Sequence, residues 1–110
     1  MKDSKTLHEI SEEIGVSRRA VQGYEKAGLV AATGKNKYGH LLYDEYSLKR
    51  IEQIKLYQQF GFSIREICEL IDAPKEVIKS ALEAQVLKMK EDRVRLDELI
   101  KKAYELIDTI

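Results

Sequence analysis

Apolar positions recur three and four residues apart through most of this chain, the spacing that gathers them on one face of an α-helix. Leu7, Ile10 and Ile14 form the first such row. Thr6-Leu-His-Glu9 ahead of it fits a capping box, and Gly15 supplies the stop. Ser17 then opens a second helix as N-cap, with Val16 and Val21 spaced as a hydrophobic staple. Ala20, Val21 and Tyr24 share one side of it, Arg18, Arg19, Gln22, Gly23 and Lys26 the other, and Gly28 ends it. Two short helices joined by Gly15-Val16-Ser17 make a helix-turn-helix pattern. The same pattern serves as plain packing in many helical proteins, and a basic face is common on solvated helices. On these residues alone both readings stand.

After Gly28 the period changes. Leu29 to Thr33 is short and apolar, Gly34 to Gly39 carries turn chemistry, and His40-Leu-Leu-Tyr43 is apolar and aromatic. This predicts a small β-hairpin of two strands around a basic, glycine-bounded loop, leaning on the helices for stability. Asp44 caps a third helix running to about Phe60, with Leu48, Ile51, Ile54 and Tyr57 in its main stripe and Leu56 and Phe60 widening it. Ser63 and Glu66 fit a second capping box, and Phe62 with Ile67 a second staple. Ile64, Ile67, Cys68 and Ile71 make one face of that fourth helix, which makes Cys68 an inert core thiol. His8 falls off the apolar row of its helix and reads as a surface residue.

Pro74 opens the last helix. From there the chain has no glycine and no further proline, and Leu82, Val86, Met89, Arg93, Leu96, Ile100, Ala103, Ile107 and Ile110 alternate by four and three as a heptad seam. A helix of that length would extend about 50 Å, more than so small a domain can cover. Its simplest partner is its own copy in a second subunit; folding back on its own domain is the alternative. Arg93 interrupts the seam, where it fixes register or meets an acidic neighbour. The organisation expected is 1–73 as one domain and 74–110 as a dimerisation helix.

Composition narrows the chemistry. The 110 residues carry no formal net charge, so no overall field advertises nucleic acid. Between Ile14 and Tyr43, however, five cations (Arg18, Arg19, Lys26, Lys35, Lys37) face one anion, Glu25. A local basic patch suffices for phosphate binding, because only charges near the phosphates release counterions. Cys68 is the single cysteine, which excludes an internal disulfide and suits a reducing cytoplasm. No apolar run approaches a membrane span, and the polar start Met1 to Lys5 does not read as a signal peptide. With two histidines, no Ser/His/Asp grouping, no phosphate-binding glycine loop and no metal cluster, neither an enzyme nor a cofactor is expected.

Three blocks together resemble the MerR family of bacterial transcription regulators. Gly15-Val-Ser-Arg-Arg-Ala-Val-Gln-Gly-Tyr-Glu-Lys-Ala-Gly-Leu29 is similar to the family's Gly-Val-Ser, Arg-Thr-Leu/Ile-Arg-Tyr-Tyr-Glu and Gly-Leu. Gly39-His-Leu-Leu-Tyr43, followed by Asp44 and Leu48, is similar to its wing ending Gly-Tyr-Arg-x-Tyr. Phe60-Gly-Phe-Ser-Ile-Arg-Glu-Ile67 is similar to its Leu-Gly-Phe-Ser-Leu-x-Glu-Ile. The fold the resemblance implies is mostly α: a winged helix-turn-helix with a small β-hairpin, then a long C-terminal dimerisation helix pairing as an antiparallel coiled coil. The function it implies is a homodimer on a pseudo-palindromic promoter site. There it bends and untwists an overlong spacer by indirect readout, acting on RNA polymerase only through the promoter DNA.

Carried over position by position, Arg19 matches the family's first recognition-helix arginine with Arg18 beside it, Tyr24 the second tyrosine of the pair, and Gly39 the wing glycine. Thr6, Ser17 and Ser63 lie at helix starts able to meet phosphates. Lys35, Lys37 and His40 complete the expected DNA-binding set with Gln22, which can read adenine. Leu82, Val86, Met89, Leu96, Ile100, Ala103 and Ile107 are the expected dimer contacts. Departures from the family pattern are Gln22 for arginine, Gly23 for the first tyrosine, His40 for the wing tyrosine and Leu41 for the wing arginine. Gly23 offers no side-chain contact, though it admits a closer approach of the backbone. No effector site is expected in this chain, which is a minimal regulator or the DNA-binding and dimerisation part of something longer. The alternatives are an architectural, excisionase-like DNA bender and a coiled-coil interaction module without DNA binding.

Overall fold

The structure is a computed structural model that describes residues 4–110; the first three residues of the polar start lie outside the described residues. In chain order the elements are β1 (Lys5–Thr6), α1 (Leu7–Ile14), α2 (Arg18–Lys26), β2 (Gly34–Lys35), β3 (Leu41–Tyr43), α3 (Glu45–Gln59), α4 (Ile64–Leu70) and α5 (Lys75–Thr109). The fold is mostly helical with one small antiparallel sheet, as the sequence implies. It divides into two compact units, one ending at Asp72 and one running from Ala73 to Ile110. No helix among the described residues is long and apolar enough to cross a membrane.

Four helix starts in the first unit are fixed by local side-chain chemistry. At α1 the Glu9 N–H donates to Thr6 Oγ1 at 3.3 Å, while the Thr6 N–H donates to the Glu9 carboxylate at 2.9 Å. At α4 Ser63 and Glu66 make the same reciprocal pair. Ser17 accepts from the Ala20 N–H at 3.0 Å and Asp44 from the Ser47 N–H at 2.9 Å. Each such bond satisfies an amide that the helix leaves open. The far end of α1 is closed by Gly15, whose φ of 78° favours glycine, and by Lys55 from α3, whose Nζ donates to the Ile14 carbonyl at 2.6 Å.

The sheet corrects the expected hairpin. It has three strands in the order β1-β3-β2, with Lys5 opposite Tyr43, Thr6 opposite Leu42, Gly34 opposite Leu42 and Lys35 opposite Leu41. Leu29 to Thr33 is not a strand. Leu29 and Val30 are buried, and carbonyls of this segment are taken up by α3 side chains: Arg50 Nε donates to Leu29 O at 2.9 Å, and Ser47 Oγ to Ala31 O at 3.2 Å. Those donors replace the ladder that a strand would need. Arg50 also holds Asp72 through two hydrogen bonds of 2.7 and 2.8 Å, which raise its own pKa and pull the Asp72 carboxyl below its ordinary value.

Ile10, Val21, Tyr43, Ile51, Ile54 and Ile67 are the fully buried side chains, one or two from each packed element. Cys68 departs from expectation: it is exposed, its sulfur 3.8 Å from the Ala27 carbonyl. The seven-residue α4 turns Ile67, Leu70 and Ile71 inward, the i, i+3, i+4 set, and leaves Cys68 beside that face. His8 lies on the surface as expected, 3.2 Å from Glu12.

The second unit is essentially one helix. The 35 residues of α5 span about 50 Å, and none of them is buried. Val86, Met89, Leu96, Ile100 and Ile107 all stand exposed along it, with Leu99 and Leu106 beside them. Arg93 makes no ion pair among the described residues; the neighbouring pair is Asp92 with Arg95.

Candidate nucleic-acid interface

The α2 helix buries Val21 and Tyr24 and exposes Arg18, Arg19, Gln22, Gly23 and Lys26. Among the described residues, the side chains of Arg18, Arg19, Gln22 and Lys26 make no hydrogen bond or ion pair. Three other lysines of this unit are engaged, Lys5 with Glu13, Lys49 with Glu45 and Lys55 with the end of α1. Both arginines also open the helix, where the macrodipole disfavours a cation, and the first turn of α2 has no acidic residue. A bound phosphate would relieve both conditions at once.

The wing is β2, β3 and the turn between them. Asn36 organises its tip: its Oδ1 accepts from the N–H groups of Tyr38 and His40 at 2.9 and 3.0 Å, and its own N–H donates to the His40 carbonyl. Gly39 has a φ of 82°, so the left-handed turn there favours glycine although a Cβ would meet nothing. Lys35, Lys37 and His40 are exposed, Lys37 lying 5.2 Å over the Tyr38 ring. The base of the wing is tied to α2 by the Tyr43 hydroxyl, which donates to Glu25 at 2.6 Å. Burial, then this bond, hold the Tyr43 hydroxyl far above its ordinary pKa, so it stays a donor.

Wing and helices converge on one cleft of about 220 Å³ lined by Thr6, Leu7, His8, Arg18, His40 and Leu41. Three residues singled out from the sequence, Thr6, Arg18 and His40, meet there.

Three expected contacts, Thr6 among them, have polar groups already engaged within the fold. The Thr6 hydroxyl donates to Glu9 Oε1 at 3.1 Å while accepting from the Glu9 N–H, and its amide serves the same carboxylate, so Thr6 has no donor left for a phosphate. The Ser63 amide is likewise taken by Glu66. At both helix starts a glutamate fills the place an anion would take, and hydrogen bonds from the Thr6 amide and hydroxyl hold the Glu9 carboxyl below its ordinary pKa. Tyr24 is a core residue, 3% exposed, whose hydroxyl donates to Gln58 at 2.7 Å and binds α2 to α3.

Two residues escaped the sequence reading. Tyr38 stands 73% exposed at the wing tip, and Arg65 lies exposed in the first turn of α4 without an ion pair among the described residues. The available signals were an aromatic between two turn residues and a cation at the wrong end of a helix dipole.

Two helices about a tight turn, with an antiparallel wing tied to the second, define a winged helix-turn-helix protein. The family described as "MerR HTH family regulatory protein" matches residues 5–74, and the chain belongs to it. The chain is 31% identical over 95 residues to the HTH-type transcriptional activator mta of Bacillus subtilis, covering 86% of this chain and 37% of that protein. It spans about a third of the length of the first curated relatives it matches. Among solved structures it is similar to the N-terminal part of that Bacillus subtilis multidrug transporter activator, with a TM-score of 0.71 and 28% identity over 94% of this chain and 97% of that one. The fold is shared with HiNmlR, a MerR family regulator lacking the sensor domain and bound to promoter DNA. That match has a TM-score of 0.71 and 23% identity, over 89% of this chain and 79% of that one. The relatives mta and TipA are named as transcriptional activators.

Proposed function

We propose that this chain is a DNA-binding transcriptional regulator that acts as a homodimer on a pseudo-palindromic promoter site and works in the cytoplasm. The observation that carries the reading is the set of unpaired, exposed cations at the start of α2, next to a wing whose His40 lines one cleft with Arg18 and which exposes Lys35 and Lys37. Arg18, Arg19 and Gln22 face the bases and phosphates of the major groove. Ser17, whose hydroxyl hydrogen is not committed to the helix, and the free amides of the α2 start take a phosphate. Lys35, Lys37, Gly39 and His40 form the wing contact, with Tyr38 at its tip, and Arg65 adds a phosphate contact from α4.

The same reading assigns α5 to dimerisation. A 35-residue helix with an exposed apolar seam gains most by pairing that seam with its copy, so Leu82, Val86, Met89, Leu96, Ile100, Ala103 and Ile107 pack in an antiparallel coiled coil. Contacts on two half-sites then supply the energy that bends and untwists the spacer between promoter elements, and RNA polymerase is affected through that DNA.

The test is selection of duplexes from a random pool by the purified full chain, followed by binding across a salt series. A recovered inverted repeat bound with steep salt dependence supports the proposal. Binding that is absent or independent of salt sinks it and leaves a coiled-coil interaction module.

A further inference from the structure

Gly23 has no purpose inside the fold. Its φ is not in the left-handed region that Gly15, Gly28, Gly39 and Gly61 occupy, so the backbone does not require glycine there. A Cβ built on it would meet nothing within 4 Å, so packing does not require it either. It stands in the interior of a nine-residue helix, where only proline is a poorer helix former. Any residue but proline would favour α2 more.

Its surroundings point outward. Arg19 is one turn before it and Lys26 three residues after it, neighbours on the helix surface, and Gln22 adjoins it. All are exposed, and none of their side chains has a hydrogen bond or ion pair among the described residues. Gly23 is therefore the bare floor of a notch walled by two long, free cations. An object that fits such a notch is anionic, narrow and placed within about 4 Å of the Cα.

We propose that Gly23 is a clearance position, at which one sugar–phosphate strand of duplex DNA lies against the α2 backbone closer than a Cβ permits. Arg19 and Lys26 then take the phosphates on either side. The inference rests on the regulator reading and adds to it the reason α2 tolerates its weakest helix former. It also sets how deeply the helix seats, and so which groove atoms Gln22 reaches.

The experiment compares wild type with Gly23→Ala, using a duplex selected by wild type and an unrelated duplex at low salt. The expected result is a melting temperature raised by a few degrees in Gly23→Ala, because alanine favours the helix. Affinity is expected to fall at least about tenfold on both duplexes, because a strand contact carries no sequence information. Unchanged or tighter binding overturns the proposal, and so does a lowered melting temperature, which would mean the fold needs the glycine. Loss confined to the selected duplex overturns the strand assignment in favour of a base edge. If wild type itself shows no salt-sensitive binding, the regulator reading has failed first, an outcome distinct from wild type and Gly23→Ala binding alike.

Discussion

Arg18 and Arg19 sit where the α2 dipole opposes them, with no carboxylate among the described residues to compensate, so their value lies in what they meet outside the chain. Arg19→Ala is expected to weaken binding to a selected duplex by about 1–3 kcal/mol, measured by fluorescence anisotropy. Lys37→Ala, which removes a proposed backbone contact, should lower the salt slope by about one and weaken all duplexes alike. Thr6 is the counter-case. Since its donors all serve Glu9, Thr6→Ala should cost on the order of 1 kcal/mol of stability while leaving DNA affinity unchanged. Glu9 and Asp72 give that stability a pH dependence. Both have folded-state pKa values below their ordinary ones, so their contributions are complete above the ordinary carboxylate range and vanish as pH falls through the lowered values. Thermal melts should therefore fall below about pH 4, and the acid loss should shrink in Glu9→Gln. The local caps were legible in the sequence because each spans three residues. The Tyr24 bond to Gln58 and the Arg50 bonds to Asp72 span 34 and 22 residues and leave no local mark.

Helices were legible at the scale of elements because several turns of period establish a face. The short α4 shows the limit: with seven residues, rows through Cys68 and through Leu70 are equally good on paper, and packing chooses the latter. Strands fared worse for the same reason. β1 is two residues long, too short for any alternation, and the apolar run Leu29 to Thr33 has strand composition but finds its hydrogen-bond partners on α3. The wing that results depends on two identifiable residues. Tyr43→Phe keeps the buried ring and removes the bond to Glu25, and should cost roughly 1 kcal/mol in chemical denaturation. Gly39→Ala meets no steric neighbour yet must hold a left-handed turn, and should cost about 1–2 kcal/mol by the same measurement.

For the molecule as a whole, the long helix was legible in a heptad seam that only Arg93 breaks, and the family in three blocks in order. It did not give the wiring between α2 and the wing. A chain ending at Pro74 should sediment as a monomer where the full chain sediments as a dimer; a dimer of the shorter chain would place the interface elsewhere. The wiring has its own consequence. Tyr43 is anchored to Glu25 on α2, β3 is flanked on both edges, and Arg50 and Ser47 hold the segment that leads into the wing. The two reading surfaces are thus set like the jaws of a fixed gauge. On the proposed function, a duplex whose groove does not match that gap would have to change its own curvature, and the work of fitting would fall on the DNA.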